Sequence, residues 1–355
     1  MDLIRSLGLS VPIIQAPMAG VSSPRLASAV SNAGGLGSIA VGATDAAGAR
    51  AMIEETRAAT NRAFQVNVFV HPSARPNPER ETAWLNALRP QFERFGAAPP
   101  DRLRVIYKSF AEDEEMLEAL VALAPRVVSF HFGLPERTKI GALKSAGCLL
   151  FATVTSLSEA TLAEQAGIDV LVAQGFEAGG HRGMFDPEAD DECLGTLALT
   201  RLLVSRAPLP VIAAGGIMDG AGIRAVLDLG AVAAQLGTAF VACPESQADP
   251  GYRAALDAAG TPGTVMTRAI SGRPARCLNN AFTRWGQEAG PAVPDYPIAY
   301  DAGKALGAAA KAAGETGFGA QWAGQGAPMA RTMPAAELVA TLEAELRPTS
   351  PGAAE

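Results

Sequence analysis

The most informative segment for chemistry is 174–183, QGFEAGGHRG, which holds one of only three histidines among 355 residues. This histidine, His181, directly follows two glycines, Gly179 and Gly180, which let the backbone approach a flat ring closely. An imidazole with a pKa near neutrality can act as a base or offer a positive partner to an anion. We therefore predict a catalytic role for His181, in preference to a loop histidine without a chemical task.

The other two histidines follow predicted strands. In the segment 64–72, FQVNVFVHP, the Asn67 amide can hydrogen-bond the edge of a heterocycle, and we favour a structural over a catalytic role for His71. His131 begins HFGLP at 131–135, at a height where it can line a pocket. For His131, a role in the pocket wall or in bracing a loop is as plausible as a chemical one.

Two glycine-bearing turns indicate a phosphate site. The segments AAGG at 213–216 and QLGT at 235–238 each end an apolar run and precede a predicted helix. Glycines there let backbone N–H groups approach an anion, and the N-terminus of a following helix favours negative charge. Phosphate binding is a better interpretation than two plain tight turns. The phosphate can belong to flavin mononucleotide (FMN) or to a sugar-phosphate substrate, and the motif does not decide between them.

Three further segments add candidates whose roles the residues alone leave open. Small and soft side chains in QAPM at 15–18 suit the face of an apolar ring, although they also suit plain packing. Tyr296, Tyr300 and Lys304 are spaced four apart, so on a helix they would share one face, and their phenols and ammonium would attract a small anion. From the spacing alone, we slightly prefer a solvated amphipathic helix without a binding role. WAGQG at 322–326 can place an indole and an amide at a pocket mouth, or its tryptophan can fill the core.

Most of these segments lie at the ends of short apolar runs that alternate with helical stretches. The runs are continuous rather than alternating, as expected for parallel strands buried on both faces, and there are eight of them, at 12–15, 36–40, 64–69, 127–132, 149–154, 170–174, 210–214 and 231–236. Helices that stop at glycine are predicted at 23–33, 156–166 and 219–229. Ser156 and Glu159 have capping-box spacing. The pattern predicts an α/β protein with a (β/α)₈ (TIM) barrel, and a doubly wound open sheet is the alternative.

The chain is longer than such a barrel requires. Eight-unit barrels typically need about 250 residues, so the remainder must be insertions. We expect the barrel to comprise residues 1–242 and 327–347. A smaller, mainly helical domain at 243–326 would lie over its carboxyl face, and the tail at 348–355 would be disordered. A helix at 335–346 would close the barrel, and an insertion at 71–103 would add a loop and helices at the same mouth.

Composition and charge exclude several classes of function. The net charge of −7 argues against attraction to nucleic acid or to an anionic membrane surface. The N-terminal stretch has no signal-peptide pattern, no apolar run reaches the roughly 20 residues of a membrane span, and four separated cysteines without CxxC spacing are typical of reduced thiols. We therefore expect a cytoplasmic protein. Dinucleotide, P-loop, zinc-protease and serine-hydrolase motifs are missing, and the acidic run 190–192 indicates a solvated loop, so we expect no metal.

Together these segments resemble the nitronate monooxygenases, formerly called 2-nitropropane dioxygenases. The resemblance runs in order from about residue 10 to residue 330. The glycine–histidine segment is shared with related flavin barrels, whereas HFGLP at 131–135 and YPIAYDAGKAL at 296–306 are more specific to the nitronate oxidisers. One departure is Val68 and Val70, where that family often has Phe and Cys, and from it we expect a changed pocket surface.

The resemblance implies FMN bound without covalent attachment, and it assigns roles to the candidate residues. The catalytic residue would be His181. The substrate site would be formed by Tyr107, His131, Tyr296, Tyr300 and Lys304. FMN would be held by Gln15, Ala16, Pro17, Met18, Asn67, Gln174, Gly179, Gly180, Gly215, Gly216, Gln235, Gly237, Thr238, Trp322, Gly324 and Gln325.

The implied reaction is the oxidation of an alkyl nitronate, with propionate 3-nitronate as the candidate, by O₂ to a carbonyl compound and nitrite through a flavin semiquinone. His181 would stabilise the anion if protonated or deprotonate a nitroalkane if neutral, and Lys304 would pair with a distal carboxylate. The alternative is an NAD(P)H:quinone or enoyl reductase on the same FMN barrel; a phosphosugar isomerase or aldolase without flavin and a non-catalytic flavin carrier are further hypotheses. The expected partners are a small anionic nitronate and O₂, with no nucleic acid and no membrane, for a monomer or homodimer.

Overall fold

Eleven strands occur in the part of the chain that the computed structural model describes, residues 2–257, 263–288 and 292–347. In chain order they are β1 Ile13–Gln15, β2 Gly37–Ala40, β3 Phe64–Phe69, β4 Val127–His131, β5 Leu149–Val154, β6 Val170–Gln174, β7 Gly180–His181, β8 Val211–Ala214, β9 Ala233–Leu236, β10 Thr264–Thr267 and β11 Ala275–Leu278. Eight of them pair in parallel, in the order β1-β9-β8-β6-β5-β4-β3-β2.

The ring of strands closes between β1 and β2. The Gln15 N–H donates to the Leu36 carbonyl, and the Leu36 N–H donates to the Ile13 carbonyl, each at 2.9 Å. The predicted (β/α)₈ barrel is therefore confirmed, and the open doubly wound sheet is excluded.

Burial on both faces explains why the strand sequences do not alternate. Every residue of β1, β2 and β6 is buried. Along β1, Ile13 packs towards the surrounding helices, whereas Ile14 joins Phe151 and Ile212 in a separate cluster within the ring. Each face of a strand thus needs apolar side chains.

The α-helices of the described residues begin with polar caps at several predicted places. They are α1 Leu3–Ser6, α2 Pro24–Asn32, α3 Ala46–Ala59, α4 Pro78–Arg94, α5 Glu114–Leu123, α6 Arg137–Ser145, α7 Leu157–Ala166, α8 Thr196–Arg206, α9 Gly220–Asp228, α10 Thr238–Val241, α11 Pro250–Asp257, α12 Ala281–Glu288, α13 Ile298–Ala312 and α14 Ala335–Leu346. At α7, the Ser156 hydroxyl accepts from the Glu159 N–H at 3.2 Å, as predicted. The Glu159 carboxylate, however, accepts from the Thr155 N–H (2.6 Å) and the Phe185 N–H (2.8 Å), so only half of the capping box forms.

The segment 243–326 contains α11, α12 and α13, and also the antiparallel pair β10 and β11, which the sequence did not predict. β11 pairs on its other side with β7, the two-residue strand that carries His181. In the insertion after β3, Trp84 and Leu88 of α4 pack with Leu306 of α13. The two insertions therefore lie together, and the division of the chain at residue 243 stays an interpretation.

The final helix, α14, packs beside the first and last helices of the barrel. Leu338, Val339 and Leu342 share a cluster with residues of α2 and α9. This position agrees with the predicted closing helix. The tail 348–355, for which we predict disorder, lies outside the described residues.

Candidate active site

A cavity of about 660 Å³ lies at the carboxyl ends of the barrel strands, where residues from the segment 243–326 complete its wall. Every residue predicted for the site lines this cavity except Gln15 and Gln325. Those that line it are Ala16, Pro17, Met18, Asn67, Tyr107, His131, Gln174, Gly179, Gly180, His181, Gly215, Gly216, Gln235, Gly237, Thr238, Tyr296, Tyr300, Lys304, Trp322 and Gly324. Their positions agree with one shared site, and their individual roles stay predictions.

Gln15 and Gln325 support the cavity wall rather than forming it. The buried Gln15 amide donates to the Ser22 hydroxyl at 2.9 Å and accepts from the Ser38 N–H at 2.8 Å. These bonds hold the turn that follows β1. Gln325 acts through its backbone, whose N–H donates to the Glu177 carbonyl at 2.9 Å.

The two glycine turns predicted to bind phosphate follow the neighbouring strands β8 and β9. Gly215 and Gly216 have φ angles of +128° and +70°, a backbone conformation that disfavours side chains. A Cβ on Gly237 would meet the Ala16 side chain at 3.4 Å. The Thr238 hydroxyl accepts from a backbone N–H of the 322–326 segment at 3.0 Å. Without side chains in the way, the backbone of these turns is accessible to an anion.

Three of the amide side chains that line the cavity differ in how much of their hydrogen-bonding capacity is used. Gln174 is committed to the histidine loop: Nε2 donates to the His181 carbonyl at 3.0 Å, and Oε1 accepts a backbone N–H of the same loop at 2.7 Å. Asn67 Nδ2 donates to the carbonyl (3.1 Å) and hydroxyl (2.8 Å) of Ser129. Gln235 Oε1 is buried and has no hydrogen-bond partner among the described residues. A ligand N–H would satisfy this acceptor.

Close packing at Gly179 joins the histidine loop to the 322–326 segment. A Cβ on Gly179 would lie 2.6 Å from the carbonyl carbon of Ala323, closer than real side chains come. Glycine is therefore required at this contact, which brings Trp322 beside His181 with ring centres 5.0 Å apart.

His181 is fixed by its backbone as well as by its ring. The pairing of β7 with β11 places Ala275 opposite His181. Its ring Nε2 lies 2.9 Å from the Ser271 hydroxyl. The ring is enclosed by aromatic side chains, with centre-to-centre distances of 5.0–5.9 Å to Trp322, Tyr296, Phe132 and Tyr300.

The surroundings of His181 favour its neutral form. Burial lowers the pKa of His181 well below 6.5, and the nearby His131 and Arg273 lower it further. Burial also lowers the pKa of His131 to about 4. Since Nε2 of His131 contacts the His181 carbonyl at 3.1 Å, this nitrogen carries the proton and donates it. Both rings are therefore neutral at pH 7, and His181 can accept a proton but does not supply positive charge in the resting state.

His71 lies outside the cavity wall. Its Nδ1 donates to the Pro72 carbonyl at 3.0 Å, and its ring meets the Tyr296 ring edge-on at 5.1 Å. Burial lowers the pKa of His71. This position supports the structural role that we favour for His71.

An ammonium group and three phenols form another part of the cavity wall. Lys304 Nζ lies 5.1 Å from the centre of the Tyr107 ring and 5.7 Å from that of Tyr300. No carboxylate lies within ion-pair distance of Lys304 among the residues that the structure describes. Burial lowers the pKa of Lys304, partly offset by Asp301, and raises the pKa of Tyr107 to about 12. The phenols therefore stay protonated and can donate to an anion.

Three expectations from the sequence are corrected. Tyr296 precedes α13, which begins at residue 298 after a proline cap, so it does not share a helix face with the other two residues of its set. The solvated loop predicted at 190–192 is corrected at one residue: Asp191 pairs at 2.8 Å with the buried Arg182, whereas Asp190 and Glu192 are exposed. Val68 and Val70 are buried in the barrel core and do not line the cavity, so they leave its surface unchanged.

Among the residues that the sequence reasoning missed, three lie close to the histidines of the cavity. Phe132, with a left-handed φ of +78°, lies between His131 and Tyr296. Arg273 is only 1% exposed; its Cζ lies 4.2 Å from the centre of the Phe132 ring, and it donates to the Met184 carbonyl. Burial lowers the pKa of Arg273 to about 10, so the group stays positive at pH 7. Ser271, at the His181 ring, is the third, and nothing in the run SGRPAR at 271–276 distinguishes it from a polar loop.

Two features of the described residues bear on other classes of function. None of their helices is long and apolar enough to cross a membrane. No group of three or more His, Cys, Asp or Glu side chains in the same ranges is arranged to hold a metal ion.

Comparison with known proteins agrees with the resemblance seen in the motifs. The family model described as nitronate monooxygenase matches residues 2–345. Proteins named nitronate monooxygenase from Paraburkholderia phytofirmans and Pseudomonas aeruginosa are 59% and 55% identical, covering 97% of this chain and 94% and 98% of their own. The crystal structure of nitroalkane oxidase from Streptomyces ansochromogenes superposes with a TM-score of 0.87 at 40% identity, over 97% of both chains. The chain therefore belongs to the nitronate monooxygenase family and is an oxidoreductase built on a TIM barrel.

Proposed function

We propose that this protein binds FMN in its cavity and oxidises alkyl nitronates, with propionate 3-nitronate as the substrate, by O₂ to a carbonyl compound and nitrite. The observation that carries the proposal is that one cavity brings together a neutral imidazole, an ammonium with no carboxylate partner among the described residues, and glycine turns accessible to phosphate. Family membership supports the same reaction.

The residues present fit FMN at both ends of the cofactor. The turns at Gly215 and Gly237 leave backbone N–H groups accessible to its phosphate. The orphaned Gln235 Oε1 can accept a hydrogen bond from the ring system. Met18 and Trp322 offer apolar surfaces for a flat heterocycle. FMN would supply the one-electron oxidation of the substrate and the transfer of electrons to O₂.

The neutral state of His181 assigns it different tasks for two kinds of substrate. A neutral nitroalkane must lose the proton on the carbon next to the nitro group, and a neutral imidazole facing the cavity can accept it. A nitronate arrives without that proton, so it needs His181 for position rather than for proton transfer. The two substrate types therefore separate the base from the other parts of the site.

Anion binding falls to Lys304 and the phenols. The Lys304 ammonium lies beside the rings of Tyr107 and Tyr300, and their partial desolvation of it, which lowers its pKa, makes its attraction to an anion stronger than in bulk water. A substrate with a carboxylate at one end and a nitronate at the other, such as propionate 3-nitronate, can place its carboxylate at Lys304 and its nitronate at His181, since both residues line the cavity. Among simple nitronates, we expect this dianion to bind most tightly.

The test is a visible spectrum of the purified protein before and after propionate 3-nitronate is added without oxygen. We expect flavin absorption that changes on addition of the nitronate, and release of nitrite once air is admitted. Flavin that ignores the nitronate but is bleached by NADH would instead favour the reductase. A colourless protein that cannot be reconstituted with FMN would refute the cofactor.

The variant His181→Asn separates the two tasks of the histidine. We expect it to lose most activity on a neutral nitroalkane, by about 10²-fold or more, as for loss of a general base. It should keep more of its activity on the preformed nitronate. Equal rates for wild type and variant on the neutral nitroalkane would rule out proton abstraction by His181.

A further inference from the structure

A buried serine contacts the imidazole of His181 from the side of the insertion. Ser271 Oγ lies 2.9 Å from Nε2 of His181, and its side chain has no exposed surface. Ser271 lies in the connection between β10 and β11, and β11 is the strand that pairs with the backbone of His181. One hairpin therefore holds both the backbone and the ring of this histidine.

The Ser271 hydroxyl has one proton and two possible acceptors for it. One is the Arg273 carbonyl at 3.2 Å, and the other is Nε2 of His181. Among the described residues, no other donor contacts the Arg273 carbonyl, and Arg273 is almost fully buried. A hydroxyl turned towards the imidazole would leave this buried carbonyl unpaired, which is costly. The hydroxyl therefore donates to the carbonyl and presents a lone pair to His181.

This direction determines where the imidazole carries its proton. A neutral imidazole has one N–H and one lone pair, and the nitrogen beside an accepting oxygen must be the N–H. We propose that Ser271 is a positioning residue that keeps the proton of His181 on Nε2 and leaves Nδ1 free for the substrate.

The other groups around the ring provide no competing hydrogen bond. Nδ1 has no hydrogen-bond partner among the described residues and is not one of their fully buried unpaired atoms, in agreement with access from the cavity that His181 lines. His131 donates to the His181 carbonyl rather than to the ring. The titratable and charged groups that face the ring are His131, Tyr296, Tyr300 and Arg273.

The consequence for catalysis rests on the proposed function. A neutral nitroalkane would transfer its carbon-bound proton to Nδ1 of His181, while the electron pair of the C–H bond forms the C=N bond of the nitronate. The imidazolium so formed still donates from Nε2 to Ser271, so the hydrogen bond is kept through the step. The position of the proton in the resting enzyme does not depend on which substrate is used.

The direct experiment is nitrogen NMR of the FMN-loaded enzyme grown with ¹⁵N-labelled histidine. The chain has only three histidines, so the spectrum is simple, and the His181→Asn variant identifies the signals of His181. In the wild type we expect an N–H signal for Nε2 and an unprotonated signal for Nδ1. Protonation of Nδ1 instead would overturn the proposal, whether or not nitronates are substrates.

Variants at Ser271 test whether the serine causes this preference. In Ser271→Ala we expect a mixture of both tautomers, and kcat/KM on a neutral nitroalkane should fall about tenfold, the low end for loss of a hydrogen bond that orients a functional histidine. The KM for propionate 3-nitronate should stay within about twofold, because that substrate needs no proton transfer. Ser271→Thr keeps the hydroxyl and should keep the wild-type tautomer.

A matched control is Ser31→Ala. Ser31 is a buried serine remote from the cavity, with one bond donated to the Ala63 carbonyl (2.9 Å) and one accepted from the Gly37 N–H (3.0 Å). It should lose stability but leave the His181 signals unchanged. A wild-type tautomer that persists in Ser271→Ala would show that the serine does not set the proton position. If that variant does not fold, the wild-type spectrum still shows which nitrogen of His181 carries the proton, and a changed tautomer in Ser271→Thr would still count against the proposal.

Discussion

Replacing Arg273 with methionine is expected to raise the pKa of His181 by about one unit. The Arg273 Cζ lies 4.2 Å from the centre of the Phe132 ring, which lies 5.6 Å from the centre of the His181 ring. The guanidinium and the imidazole are therefore at most about 10 Å apart. At that distance and an effective dielectric constant of about 20, a unit positive charge disfavours the imidazolium by about 1.7 kcal/mol, or about 1.2 pKa units.

The assay is an NMR titration of His181 in the FMN-loaded enzyme. Arg273→Met should move the midpoint upwards, towards 6.5, while Arg273→Lys, which keeps a positive charge, should stay close to the wild type. Burial is the larger cause of the low pKa of His181, so the midpoint in the methionine variant should remain below 6.5. An unchanged midpoint in Arg273→Met, or an equal rise in Arg273→Lys, would refute the electrostatic argument.

Three further outcomes follow from the site and its supports. Lys304→Met should raise the KM for propionate 3-nitronate about tenfold more than the KM for a nitronate without a carboxylate, since only the former loses an ion pair worth about 1.4 kcal/mol; equal effects would refute the pairing. Gly179→Ala should yield protein with little bound flavin, because its Cβ would lie 2.6 Å from a backbone carbon, whereas Gly141→Ala, which meets nothing within 4 Å, should bind normally. The pKa of His131, lowered to about 4, means that the unfolded chain binds this proton more tightly, so stability is lost as pH falls below 6.5. Between pH 8 and pH 5 this single group should cost about 2 kcal/mol, measurable by denaturant titration, and His131→Gln should flatten that slope.

The barrel was predictable because burial on both faces of a strand requires continuous apolar runs, and all eight runs became strands. The glycine turns were predictable for a related reason. Gly216 has a φ of +70°, and Gly179 lies against a neighbouring backbone, so a side chain at either position would be strained or would clash. Features whose cause lies within a few residues can therefore be predicted from those residues.

The features that the sequence did not predict depend on partners far along the chain. β10 and β11 are four residues each, and β11 pairs with a two-residue strand almost a hundred positions earlier. Arg273 in a polar loop is expected to be exposed, and its burial becomes evident only once Phe132 and Met184 surround it. Tyr296 is separated from its predicted helix by the proline at the helix N-cap. The four-residue spacing alone did not show that the helix begins after this tyrosine.

The pairing of β7 with β11 also has a consequence for synthesis on the ribosome. His181 is translated early, whereas the strand opposite it, Ala275–Leu278, follows only after the eighth barrel strand is complete. A nascent chain that ends between residues 242 and 275 holds all eight barrel strands but has no partner for its histidine loop. Because chains fold progressively as they emerge, the barrel sheet can form before the candidate site is complete. Translational pauses in that interval would expose an unpaired histidine loop on an otherwise closed barrel.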